Sequence, residues 1–168
     1  MFKRSQVIQW NILEKDTVDE IIFRTINPRN RIMLELMSRA VMRISEVLKL
    51  APNDNDGRKL TLMHLKSGKD KELVYIPQRL CKRLEEYILI TGLMKNERIF
   101  PITYATARDM VRKAGKIVNV LLRPHDLRRF AATYASRSGT PIEIKVILRH
   151  ANLSTTQRYL GKVSDVES

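Results

Sequence analysis

Residues 29–41 constrain the fold more than any other stretch of this chain. Ile32, Met33, Leu34, Leu36, Met37, Ala40 and Val41 cover so wide an arc of an α-helix that the segment is expected to be buried on most sides. A helix enclosed in that way needs neighbours on several flanks, so the remaining segments must wrap it. The chain has the means: 168 residues with 43% apolar and 29% charged side chains match one soluble globular domain with a real core.

The segments around it are read from periodicity and punctuation. A short helix is expected over residues 17–24, with Asp19 and Glu20 in its first turn, and Asn27-Pro28 ends it. After the central helix, Val47, Leu48 and Leu50 suggest a further short helix beginning near Ser45 as its cap and closed by Ala51-Pro52. Residues 58–65 and 72–76 are rich in strand-forming types and flank Lys66-Ser67-Gly68-Lys69-Asp70-Lys71, which reads as a β-hairpin with lysines at its tip. From Gln78, Leu80, Leu84, Tyr87 and Ile88 face a core opposite Lys82, Arg83, Glu85 and Glu86, and the helix closes near Thr91-Gly92. Another helix over residues 103–118 sets Tyr104, Ala107, Val111, Ala114 and Val118 on one stripe and Arg108, Arg112 and Lys116 on another. Pro124 and Asp126 start a helix that runs to about Arg137 and buries Leu127, Phe130, Ala131 and Tyr134. Further helices follow Pro141 and Ser154-Thr155-Thr156, the last holding Tyr159, with residues 161–168 as a loose tail. The fold class expected is mainly α with a small antiparallel β-hairpin or sheet, one domain with its core over residues 12–160.

Charge narrows the partners. With 31 basic against 18 acidic side chains the formal net charge is +13, a field that recruits polyanions, and nucleic acid leads. Within residues 98–137 the only acids are Asp109 and Asp126, so much of the excess is local. The Arg108, Arg112 and Lys116 stripe suits a phosphate backbone, although charge on a helix is often only a solvated face. No helix combines a strongly basic face with a Trp/Phe/Leu face, as a membrane-surface helix would. No run of 18 apolar residues and no secretory signal appear, so an intracellular, cytoplasmic place is expected. One cysteine, Cys81, excludes an internal disulfide, and the three histidines lack the spacing of a structural zinc site; no metal or cofactor is expected.

The chemistry gathers between Arg123 and Tyr159. A helix starting near His125 puts Arg128 one turn on, beside a helix end that favours an anion. Arginines, a lysine, two histidines and a tyrosine supply what displacement at a phosphodiester needs without metal: a nucleophile, cations for developing charge, and proton carriers. A phenol with a pKa of about 10 is a poor nucleophile at neutral pH, but cations favour its anion and an imidazole can take its proton. The resulting ester keeps the energy of the cut bond, which agrees with the lack of any nucleotide-binding motif.

On these residues the sequence resembles the tyrosine recombinases, the family of phage integrases and chromosome-dimer resolvases. Val41-Met42-Arg43-Ile44-Ser45-Glu46 is similar to the family's first arginine motif, which implies Arg43 as a catalytic arginine and Glu46 as its supporting acid. The hairpin lysine looks like Lys66, with Lys69 as the alternative register, and the resemblance implies that it protonates the leaving 5′ oxygen. His125-Asp126-Leu127-Arg128-Arg129 matches the His-x-x-Arg box, with Arg43 and Arg128 clamping the phosphate and His125 as base or phosphate ligand. His150 matches the second histidine and Tyr159 the nucleophile nine residues later. Val41 and Arg149 stand where the family has glycine. The resemblance implies a site-specific recombinase catalytic domain acting on double-stranded DNA through a 3′-phosphotyrosyl intermediate; the family's N-terminal core-binding domain is missing from the sequence, so the chain is expected to be either a fragment or a naturally short relative. It further implies assembly into a tetramer on DNA, a nucleoid-associated setting, and an origin in a bacterium, phage or mobile element. Arg108, Arg112, Lys116 and Arg129 are the candidate DNA-binding residues. The rival readings are a type IB topoisomerase-like enzyme and a basic DNA-binding module that keeps the pocket without catalysis.

Overall fold

The computed structural model describes residues 13–64 and 70–138. In chain order these form α1 (Lys15–Arg24), α2 (Pro28–Arg39), α3 (Ile44–Lys49), a single 3-10 turn (Pro52–Asp54), β1 (Asn55–Asp56), β2 (Lys59–His64), β3 (Asp70–Tyr75), α4 (Gln78–Thr91), α5 (Tyr104–Lys116) and α6 (Pro124–Ser138). The class is the expected one: mostly helical, with one antiparallel sheet in the order β1-β2-β3. Lys66 and Lys69, and all that follows Ser138, including Arg149, His150 and Tyr159, lie outside the described residues.

The central helix is shorter than its apolar run. Asn27 caps α2 by accepting from the Asn30 N–H at 3.2 Å, and Pro28 takes the first helical position, where it gives up no hydrogen bond. Every residue from Ile32 to Ser38 is buried, Glu35 among them, so the enclosure on most sides is real. The helix stops at Arg39, however, because Val41 turns into the left-handed region at φ +54° and the Met42 N–H folds back to the Leu36 carbonyl. Glu35 at the core's edge is held by Arg83 of α4 and by Arg39, so a carboxylate that is almost fully buried is charge-paired rather than stranded.

The hairpin pairs Leu60 with Val74 and Leu62 with Glu72, which turns Leu60, Leu62, Val74 and Ile76 inward. Gly57, at φ +60°, makes the tight turn between β1 and β2. Cys81 is a core residue of α4 whose thiol donates to the Gly57 carbonyl at 3.0 Å.

Two corrections matter for the site. The cap of α3 is Arg43, not Ser45: the cap lies two residues earlier, and Glu46 supplies the capping carboxylate. Tyr104 and Tyr134 are not core residues, at 52% and 44% exposed, because each lies at the margin of the buried stripe of its helix. Tyr134 instead stacks on Phe130, with ring centroids 5.8 Å apart. Among the described residues no helix is long and apolar enough to cross a membrane.

Candidate active site

Two helix starts make the site, and both are built the same way. At α3 the carboxylate of Glu46 accepts the main-chain N–H of Arg43 at 2.9 Å and pairs with its guanidinium at 3.3 Å. At α6 the carboxylate of Asp126 accepts the main-chain N–H of Arg123 at 3.0 Å, and Nε and Nη2 of the same arginine at 3.3 and 3.2 Å. In each case a buried acid three residues into the helix satisfies an orphan backbone donor and fixes the preceding arginine. Arg123-x-x-Asp126 therefore repeats Arg43-x-x-Glu46. That repeat is the sequence signal that could have singled out Arg123 and Asp126, neither of which stood among the candidates.

Arg43, Arg123, His125 and Arg128 line one cavity of about 380 Å³, together with Ile44, Ser45, Tyr104, Arg108 and Pro124. The return from α5 makes this meeting possible. Val120 donates to the Gly115 carbonyl at 2.9 Å, and a Cβ on Gly115 would stand 2.5 Å from Leu122 Cβ, so only glycine lets residues 117–122 double back to Arg123. Arg128 is buried, and its Nε donates to the Val41 carbonyl at 3.4 Å. The turn after α2 thus touches one arginine and leads directly into the other. Arg108 lies over the Tyr104 ring, 5.9 Å from its centroid.

The electrostatics favour a neutral imidazole. Burial, followed by the charges of Arg129 and Arg128, pushes the His125 pKa below its ordinary value; Asp126 opposes this and Arg123 adds to it. A neutral ring can accept a proton or bond an anionic oxygen. The structure thus brings Arg43, His125 and Arg128 together, holds Glu46 against Arg43, and adds Arg108 from the helical stripe. The other stripe members do not line the cavity: Arg112 and Lys113 pair with Asp109, holding its carboxyl below the usual range, and Lys116 is exposed. Arg129 faces Asp126 at 3.7 Å and is largely covered.

The same residues fall inside a family pattern, the description of phage integrases, which matches residues 11–164. The chain belongs to the phage integrase family. Over 159 residues it is 32% identical to tyrosine recombinase XerA of Pyrococcus horikoshii, covering 88% of this chain and 55% of that relative. This integrase-family chain thus spans about half the length of the curated relatives it matches. The crystal structure of XerA recombinase has the same fold, with a TM-score of 0.77 at 22% identity over 91% of this chain and 59% of that one. So does the XerH site-specific recombinase, bound to palindromic difH substrate in a post-cleavage complex, with a TM-score of 0.70 at 19% identity over 91% of this chain and 50% of that one.

Proposed function

We propose that this chain is the catalytic domain of a site-specific DNA recombinase that cuts and rejoins strands through Tyr159. The observation that carries the reading is the convergence of Arg43, His125 and Arg128 on one cavity from helix starts far apart in the sequence. Two guanidinium groups and an imidazole on one phosphate supply the charge and proton handling that phosphoryl transfer demands. Membership of the phage integrase family supports the same reaction class, and the structure of the Tn1549 transposon integrase is of a complex with circular intermediate DNA.

In the proposed step the Tyr159 phenolate attacks phosphorus, the bond from phosphorus to the 5′ oxygen breaks, and that oxygen takes a proton from Lys66 or, in the other register, Lys69. His125 and His150 hold or relay the proton that leaves the phenol. Arg43 and Arg128 balance the charge that builds on the non-bridging oxygens, and the product is a 3′-phosphotyrosyl ester with a free 5′-hydroxyl. Attack by a 5′-hydroxyl on that ester reverses the step and joins strands without ATP or metal. The working enzyme would assemble as a tetramer on double-stranded DNA, at the nucleoid.

A nicked suicide duplex carrying the chain's own target site tests the reading. The wild-type chain should form an SDS-resistant adduct, Tyr159→Phe should form none, and Arg43→Ala and Arg128→Ala should lose about 100-fold or more in cleavage rate with far smaller losses in affinity. Tight binding with no adduct would make the chain a binding module instead, and relaxation of any supercoiled plasmid regardless of sequence would make it a topoisomerase.

A further inference from the structure

Resting on the reading of the cavity as a phosphate site, we propose that Arg108 and Arg123 form a second anion subsite in it. There they hold the backbone phosphate next to the one clamped by Arg43 and Arg128. One phosphodiester brings one negative charge, and the transition state of its displacement adds a second, which two guanidinium groups balance. Four guanidinium groups around about 380 Å³ exceed that need. Glu46 and Asp126 offset part of the excess, but neither carboxylate lines the cavity, so each anchors its arginine from the far side.

The two extra arginines have the traits of ligand-binding side chains. Arg123 is 53% exposed, yet Asp126, only 3% exposed, grips its Nε and Nη2, so the guanidinium is oriented before anything binds. Arg108 makes no ion pair with any carboxylate among the described residues and rests on the Tyr104 ring, whereas its neighbours Arg112 and Lys113 are paired with Asp109. Adjacent phosphates on one strand share a backbone, so a cavity lined by four guanidinium groups suits a strand running across it.

Thymidine oligonucleotides with one phosphodiester, d(TpT), and with two, d(TpTpT), separate the subsites when titrated against the full chain and followed by NMR of the His125 ring. Wild type should bind d(TpTpT) about tenfold more tightly than d(TpT), the scale of one charge-assisted contact. Arg108→Ala, and Arg108→Ala with Arg123→Gln, should erase that preference while keeping d(TpT) affinity. Arg112→Ala, which removes the same charge outside the cavity, should keep the preference. A preference that survives loss of Arg108 and Arg123, or that falls equally with loss of Arg112, overturns the second subsite. If d(TpT) leaves the His125 signals unmoved, the phosphate site itself is wrong and the subsite falls with it; if d(TpT) binds and d(TpTpT) binds no better, only the subsite falls.

Discussion

Val41 is a β-branched residue held at φ +54°, a conformation that costs an L-residue about 1–2 kcal/mol and that glycine adopts freely. What offsets the cost is packing. Val41 is 3% exposed and clusters with Ala131, Ala132 and Ala135 of α6, and burying a valine side chain contributes about 1.5–3 kcal/mol. The small alanines on α6 leave room for it, so the side chain wedges the end of α2 against the helix that carries His125 and Arg128. Strain and wedge can be separated by two substitutions. Val41→Ala loses most of the packing and keeps the strain, whereas Val41→Gly loses the packing and the strain together. Both should be less stable than wild type in urea, but the glycine variant should be the more stable of the two by about 1 kcal/mol, the reverse of the usual order of alanine over glycine. The usual order would mean that Val41 is not strained in solution.

At the scale of elements, the site depends on how α5 hands over to α6. Gly115→Ala would put a methyl group 2.5 Å from both Leu122 Cβ and the Val120 carbonyl oxygen, and neither contact is with the flexible end of a side chain. Overpacking of this kind costs about 1–3 kcal/mol, more than alanine's helical preference of about 1 kcal/mol returns, so the urea midpoint should fall with its slope unchanged. The cleavage rate should fall as well, because Arg123 and α6 follow the displaced turn; an unaltered midpoint would show that the turn relaxes without cost. This handover was hidden in the sequence, where Gly115 sits inside a helical pattern with nothing to mark the backbone that returns against it. Elements with a regular period were legible: the spacing of Leu80, Leu84, Tyr87 and Ile88 gives α4, and Gly92 closes it at φ +66°. Caps made by side chains outside the usual set were not, which is why Ser45 was expected where Arg43 stands. Nor can periodicity show that Arg43 and Arg128 share a cavity; only the family motif implied it, and it was silent on Arg123 and Arg108.

Over the whole molecule, the net charge of +13 overstates the cations offered to a polyanion, because several arginines serve the fold. Arg98 donates to the carbonyls of Leu48, Phe100 and Ile102, at 2.8, 3.3 and 3.0 Å, and so ties the end of α3 to the segment leading into α5. Arg58 donates to the Ile76 carbonyl, and Arg83 and Arg39 neutralise Glu35. Removing an arginine of this internal kind orphans backbone acceptors, whereas removing one that meets phosphate releases fewer counterions on binding. Two substitutions equal in charge should then part ways. Arg98→Ala should cost about 1–3 kcal/mol of stability and leave the slope of log affinity against log salt unchanged, measured on a duplex well below the melting point. Arg108→Ala should leave the melting temperature nearly unchanged and flatten that slope by about 0.9, the contribution of one phosphate contact. Equal slopes for the two variants would mean that the chain's field acts as a diffuse total, with no division between arginines that hold the protein together and arginines that hold its partner.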